Sequence, residues 1–351
     1  MAQAIESRAV EHWRSLDGLR GLAILFVVFS HLVPAALATA GMVGVTLFFV
    51  LSGFLITNLL LVEEREHGSV ALPAFYGRRA IRLLPALFVY LAVIGLIYGW
   101  EITWPPLVYA GNYAQLFGLN LEMNLHTWSL AVEEHFYLLW PILLIGVPAT
   151  RKPRWLGLAV LLLIGWRLAV PSDQWAYQAS DTNAFALGLG CLLAVLRARG
   201  TWRPPESGIF LRAPLLGLLA LGAWPVNSAE EFISVGRWLP IVAALFSCVV
   251  VWAAVQASDY LMLANVPLRW FGRISYALYL WHLPVIYAVR VDFGRTWTSM
   301  SLAFLISVGL AAISWRIVEA PMLTSRLRAR FERVPQSGVV DPTTTGRRPA
   351  I

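Results

Sequence analysis

Charge is scarce in this sequence. Only 13% of its 351 residues are Asp, Glu, Lys or Arg, where soluble domains carry about 25%. In turn 58% are apolar, above the roughly 45–50% usual for soluble domains. A soluble globule of this length needs far more polar surface, so that class is excluded. Lysine is nearly absent, since 26 of the 27 basic residues are arginine. Cysteine is limited to Cys191 and Cys248, both inside apolar runs, which excludes a disulfide framework and a cysteine metal site. The first fifteen residues carry His12, Trp13 and several charges and lead into an apolar stretch without a small-residue cleavage pattern. No removable signal peptide is therefore expected, and neither an internal repeat nor a second soluble domain is seen.

What is present is a series of apolar segments. Crossing about 30 Å of hydrocarbon takes about 20 apolar residues, and ten segments approach that: Asp17–Ala36, Met42–Val62, Leu83–Trp100, Thr127–Val147, Trp155–Val170, Thr182–Leu196, Ala213–Val226, Trp238–Val255, Ile274–Val289 and Thr298–Trp315. They predict an all-α fold, a polytopic membrane helix bundle of about ten transmembrane helices. The organisation expected is a cytoplasmic N-terminal segment 1–15, a transmembrane domain 16–320 and a disordered cytoplasmic tail 321–351. A formal charge of +7 would suggest a nucleic-acid partner for a soluble protein. Here the arginines cluster between apolar segments, the positive-inside pattern of the inner (plasma) membrane, and no nucleic acid is expected. With both termini cytoplasmic, 23 basic residues fall toward that face and four (Arg167, Arg237, Arg290, Arg295) toward the other. Glu101–Leu125, free of basic residues, becomes the main external loop.

Ionisable groups inside a bilayer are costly, so each one is a functional candidate. In Ser15–His31, Arg20 and His31 are eleven residues apart, three helical turns, on one face and about 16 Å apart, and Asp17 joins that face. As ordinary features these would be interfacial anchors and a packing histidine. As chemistry, a neutral imidazole is a natural general base. Arg78, Arg79 and Arg82 sit together at the start of the third segment, either a positive-inside cluster or an anion clamp, because guanidinium binds phosphate through two parallel bonds. Gly44, Ser52 and Gly53 allow close helix approach. Trp128–Pro141 reads WSLAVEEHFYLLWP, with Glu133, Glu134 and His135 together. Ser275–Pro284 carries His282, and Arg316 and Glu319 are spaced for a helical i,i+3 pair. His31 and Glu133 both lie about 9 Å from the outer membrane edge, so the two could meet.

These residues form an ordered set: the R-x10-H of Arg20 and His31, GVTLFFVLSGFLI, FYGRRAIRLLP, WSLAVEEHFYLLWP and YALYLWHLP. Together they resemble the acyltransferase-3 family of membrane O-acyltransferases, over Ser15 to about Pro321. The resemblance implies transfer of an acyl group, commonly acetyl from acetyl-CoA, to a hydroxyl of a sugar-containing envelope glycan or secreted metabolite. It implies His31 as the essential histidine, Arg20 as its motif partner, Arg79 and Arg82 as paired arginines and Glu133 as the recurrent acid, with Glu134 less constrained. The sequence departs from the family at Thr46, where many relatives have Asp, at His135, where many have Gln, and around Asn183 and Phe185, positions that bear on acceptor contacts. Some relatives append a soluble esterase-like domain, for which this chain is expected to be too short.

The mechanism expected on this basis has His31 and Glu133 as catalytic residues, Glu133 orienting His31. Acyl-CoA is a co-substrate rather than a bound cofactor, held by Arg20, Arg78, Arg79 and Arg82, with Asp17, Ser52, Trp128, Ser129, Glu134 and His282 in support and no metal. The alternative is a proton-coupled secondary transporter using His31, Glu133 and His282 as a relay.

Overall fold

The computed structural model describes residues 13–200, 208–256, 263–325 and 327. Most of the expected cytoplasmic N-terminal segment and tail lies outside the described residues. Among the described residues all regular structure is helical, with no strand: α1 (Arg14–Leu32), α2 (Pro34–His67), α3 (Leu72–Tyr98), α4 (Trp104–Leu107), α5 (Gly111–Leu116), a 3-10 turn (Glu122–Thr127), α6 (Trp128–Gly146), α7 (Lys152–Ala169), α8 (Asp173–Gln178), α9 (Ser180–Ala198), α10 (Gly208–Gly222), α11 (Ala229–Gln256), α12 (Val266–Arg273), α13 (Ser275–Phe293), α14 (Trp297–Ser314), a π-helical turn (Trp315–Glu319) and α15 (Ala320–Leu323).

Each of the ten apolar segments falls on a helix. Seven helical stretches among the described residues are long and apolar enough to cross a bilayer, or eight if α12 and α13, bent by 75° at Ile274, cross as one. The remaining two segments are α7, which carries Lys152, Arg154 and Arg167, and α10, whose apolar part Arg212–Gly222 is short. Local chemistry sets the boundaries. Proline disfavours helix at the residue before it and suits a first helical turn; accordingly Val33 leaves the helical region and α2 starts at Pro34, dividing the segment expected to run to Ala36. Asn265 caps α12 through Leu268 N at 2.8 Å, Thr296 and Ser299 cap α14 reciprocally, and Gly68, at φ 70°, ends α2.

α2 is the central helix, packed along α1 and α9. Glycines make both approaches possible, because small residues let backbones meet and polar groups bond where no hydrophobic force acts between helices in lipid. A Cβ on Gly53 would strike the Leu187 carbonyl, and one on Gly190 the Val50 carbonyl. At the crossing of α1 and α12, Gly272 faces the Asp17 carbonyl and Gly21 the Leu268 carbonyl in the same way.

The segment expected as an external loop is folded into the bundle. Ile102, Thr103, Asn112, Leu121, Met123, Asn124 and His126 are buried. Asn124 receives the Tyr90 hydroxyl at 2.8 Å and donates to Ile102 O at 2.9 Å, and Asn112 donates to Ser180 at 2.9 Å. The physical reason is that its short helices leave polar groups that find partners on α3 and α9 rather than in water.

Candidate functional site

Two groups of polar side chains converge in the bundle. The first gathers around Arg20 on α1, Arg79 and Arg82 on α3, Glu133 and Glu134 on α6 and Glu319 on the π-helical turn. Arg82 is within electrostatic reach of Arg20, Arg79 and Glu319, and Glu133 of Arg79 and Arg20. Glu134 also faces Arg79. Arg79 stacks on Tyr137, its guanidinium carbon 3.5 Å from the ring centroid. Ser52 donates to Glu133 at 2.8 Å and accepts from the Tyr137 hydroxyl at 2.9 Å, so α2 and α6 hold the carboxylate in place. Among the described residues no ion pair closes between these three arginines and three carboxylates. Arg20 Nε, Arg79 Nε and Glu319 Oε1 are buried without hydrogen-bond partners, while Arg82 remains exposed to solvent. Opposite charges held apart, with guanidinium donors of Arg20 and Arg79 unused, make a charged cluster, called the arginine cleft below, that is fit for an anion.

Arg78 stands apart from this cleft. It pairs with Glu63 at 3.1 Å, and the other oxygen of Glu63 accepts Ala71 N at 2.9 Å, which ties the α2–α3 turn. The expected Arg316–Glu319 pair does not form: Arg316 is exposed and Glu319 buried, facing Arg82 and Arg20. A π-turn carries more residues per turn than an α-helix, so the i,i+3 spacing no longer puts the two side chains on one face.

The second group surrounds His31. Its Nδ1 lies 2.8 Å from Val27 O and 3.3 Å from Ser30 Oγ. A carbonyl can only accept, so Nδ1 carries the proton and Nε2 keeps its lone pair. The ring of His282 on α13 lies 5.1 Å from that of His31, and the ring of His126 is 5.2 Å beyond His282. His282 Nδ1 faces Tyr279 O at 2.7 Å, which fixes the same tautomer. Arg290 donates to the His31 carbonyl.

His31 and Glu133 are not brought together. Glu133 takes Ser52 and His31 takes Val27 and Ser30. α6 starts among packed side chains, with Trp128 and Ser129 buried, and Glu133, one turn further on, faces Arg79 and Arg20.

The remaining sequence candidates are placed as follows. Asp17 is half-buried on α1, one turn before Arg20. Ser129 lies 2.6 Å from the Tyr279 hydroxyl, which donates to His126 O at 2.6 Å; with its one proton spent there, Tyr279 accepts from Ser129. Trp128 is buried against Phe49 and Tyr177. Of the departures, Asn183 accepts from the fully buried Arg167 at 3.1 Å, His135 bonds Ser180 at 2.8 Å, and Thr46 and Asn183 share with Trp128 and Tyr177 a cavity about large enough for one water. Sequence reasoning missed His126, Tyr137 and the inward role of Glu319. Tyr137 follows Glu133 by one helical turn, and His126 lies two residues before Trp128 of the WSL run, signals that could have marked both.

Compared with known proteins, residues 13–318 match the family described as "Acyltransferase domain". The chain is 30% identical to the peptidoglycan O-acetyltransferase OatA of Listeria monocytogenes, over 88% of this chain and 55% of the relative. It is 30% identical to the putative peptidoglycan O-acetyltransferase YrhL of Bacillus subtilis, over 91% and 56%, and 29% identical to a putative O-acetyltransferase of Staphylococcus aureus, over 94% and 61%. The chain thus spans about half the length of the curated relatives it matches. No solved structure matches it.

Proposed function

This chain belongs to the acyltransferase family whose domain it matches over residues 13–318, and we propose that it is an integral-membrane O-acyltransferase. The acyl group, acetyl by the names of the relatives, would pass from acyl-CoA to a hydroxyl of a cell-envelope glycan; peptidoglycan is the acceptor that two of those names give. The inner membrane, with both termini cytoplasmic, is the orientation that the arginine distribution favours.

The observation that carries this reading is one helix face with an anion cleft near one end and a free imidazole lone pair at the other. Arg20 and His31 are three turns apart on α1, about 16 Å. In this reading the phosphates of acyl-CoA bind Arg20, Arg79 and Arg82, and the acyl-bearing arm lies along α1 toward His31. His31 Nε2 then takes the acceptor's proton as general base, or takes the acyl group itself before the hydroxyl attacks. Either way an O–acyl bond replaces the C–S bond and CoA leaves as thiol. Glu133 and Ser52 set the cleft from α6 and α2, and Arg78 ties the turn beside it.

The test is transfer of label from acetyl-CoA into envelope material by membranes carrying the full chain. Wild type is expected to transfer and His31→Ala to lose at least about 10²-fold, the scale of a positioned acid–base group. Full transfer by His31→Ala, or proton flux without CoA release, would overturn the reading.

A further inference from the structure

The row of three imidazoles exceeds what a single general base requires. His126 is 4% exposed and His282 fully buried. Both ring nitrogens of His126 and the Nε2 of His282 are without hydrogen-bond partners, a costly state for buried polar atoms. The segment that delivers His126 is pinned by specific bonds. Tyr90 and Ile102 hold Asn124 at 2.8 and 2.9 Å, Thr127 donates to Asn124 O at 2.7 Å, and Tyr279 donates to His126 O at 2.6 Å. Glu122, which opens the turn, sits at φ 46°, in the left-handed region that a side chain avoids. So much constraint holds an imidazole that lies near the Leu280, Met123 and Tyr279 carbonyls yet makes no well-formed hydrogen bond to any of them, which points to a transient partner.

The nitrogens are arranged for one kind of traffic. His31 and His282 each commit Nδ1–H to a backbone carbonyl, so each can take and release a proton only at Nε2. Neither nitrogen of His126 is committed to a well-formed hydrogen bond, so the ring can receive on one and release from the other. The other rings against His126 are Tyr90 and Tyr279, with no carboxylate among them to trap a charge. A charge on His31 is felt by both other rings, and like charges this close in a poorly solvated site exclude one another. Mutual repulsion therefore disfavours more than one excess proton on the row at a time. Just before His126 in sequence, Leu125 is 43% exposed and the charged Glu122 is exposed too, so the row ends near the surface of the bundle.

We propose that His282 and His126 form, with His31, a proton path that carries the acceptor hydroxyl's proton from the reaction centre to the face of the bundle opposite the arginine cleft. This inference rests on the acyl-transfer reading. In the step, the acceptor oxygen bonds the acyl carbon and the C–S bond breaks. The hydroxyl proton passes to His31 Nε2, then to His282 Nε2, then through His126 to water, while the CoA thiolate, formed beside His31, takes a proton from water as CoA leaves past the arginines. The sum is alcohol plus acyl-CoA giving ester plus CoA thiol, with one proton delivered to one face and one taken up at the other.

The test uses the full chain in membranes with labelled acetyl-CoA and the endogenous acceptor. His126→Phe, which preserves an aromatic ring, is expected to melt like wild type and to transfer about 10²-fold more slowly. His126→Gly is expected to fall equally and to recover at least tenfold on addition of imidazole, which a packing role would not produce. Transfer by His126→Phe within threefold of wild type, or a folded His126→Gly that imidazole leaves inactive, overturns the path while leaving acyl transfer standing. Absence of transfer by wild type overturns both.

Discussion

A guanidinium that keeps unused donors beside carboxylates it does not touch differs in kind from one spent in an ion pair, and the arginines at the start of α3 show both states. Arg79 and Arg82 face the cleft, whereas Arg78 is held by Glu63. Losing hydrogen bonds to a charged ligand costs about 1.5–3 kcal/mol, so Arg79→Ala and Arg82→Ala are each expected to raise KM for acyl-CoA by about 10- to 100-fold. Arg78→Ala should leave KM within about threefold, and steady-state kinetics with labelled acyl-CoA separates the three. Ser52 joins Glu133 to Tyr137. Ser52→Ala leaves both short of a partner at a cost of about 1–3 kcal/mol, which a thermal melt in detergent should register as a fall of several degrees.

Among the elements, the crossings of α1 with α12 and of α2 with α9 decide which side chains share a site. At Gly272 a side chain would meet the Asp17 carbonyl, while Gly165 and Gly309 face open space. Gly272→Val is therefore expected to abolish the monodisperse folded species on size-exclusion chromatography, and Gly165→Ala and Gly309→Ala to preserve it. The π-helical turn has a comparable effect over a shorter span, since it directs Glu319 to the arginine cleft and leaves Arg316 outside.

For the whole molecule, the folded-in segment between α3 and α6 is the feature that rearranges the site. Phe117 is 77% exposed and Asn112 is 0% exposed. With Cys191 and Cys248 replaced, Phe117→Cys is expected to react readily with a membrane-impermeant maleimide and Asn112→Cys to stay protected until denaturation. Equal labelling of the two would show that the segment is not packed into the bundle.

The sequence by itself determined the class of protein and the helices, because lipid demands long apolar runs with every backbone group bonded internally and both requirements are legible in local composition. It also determined that Arg20 and His31 share a face, because that follows from one helical period. It did not determine which polar groups meet. Glu133 reaches the arginines instead of His31, Glu319 turns inward, and His126 completes a row with two residues distant in sequence. Those outcomes depend on the register between helices, set by glycine crossings, a π-turn and a segment that packs inside the bundle. None of these is periodic in sequence, so only the tertiary structure decided them.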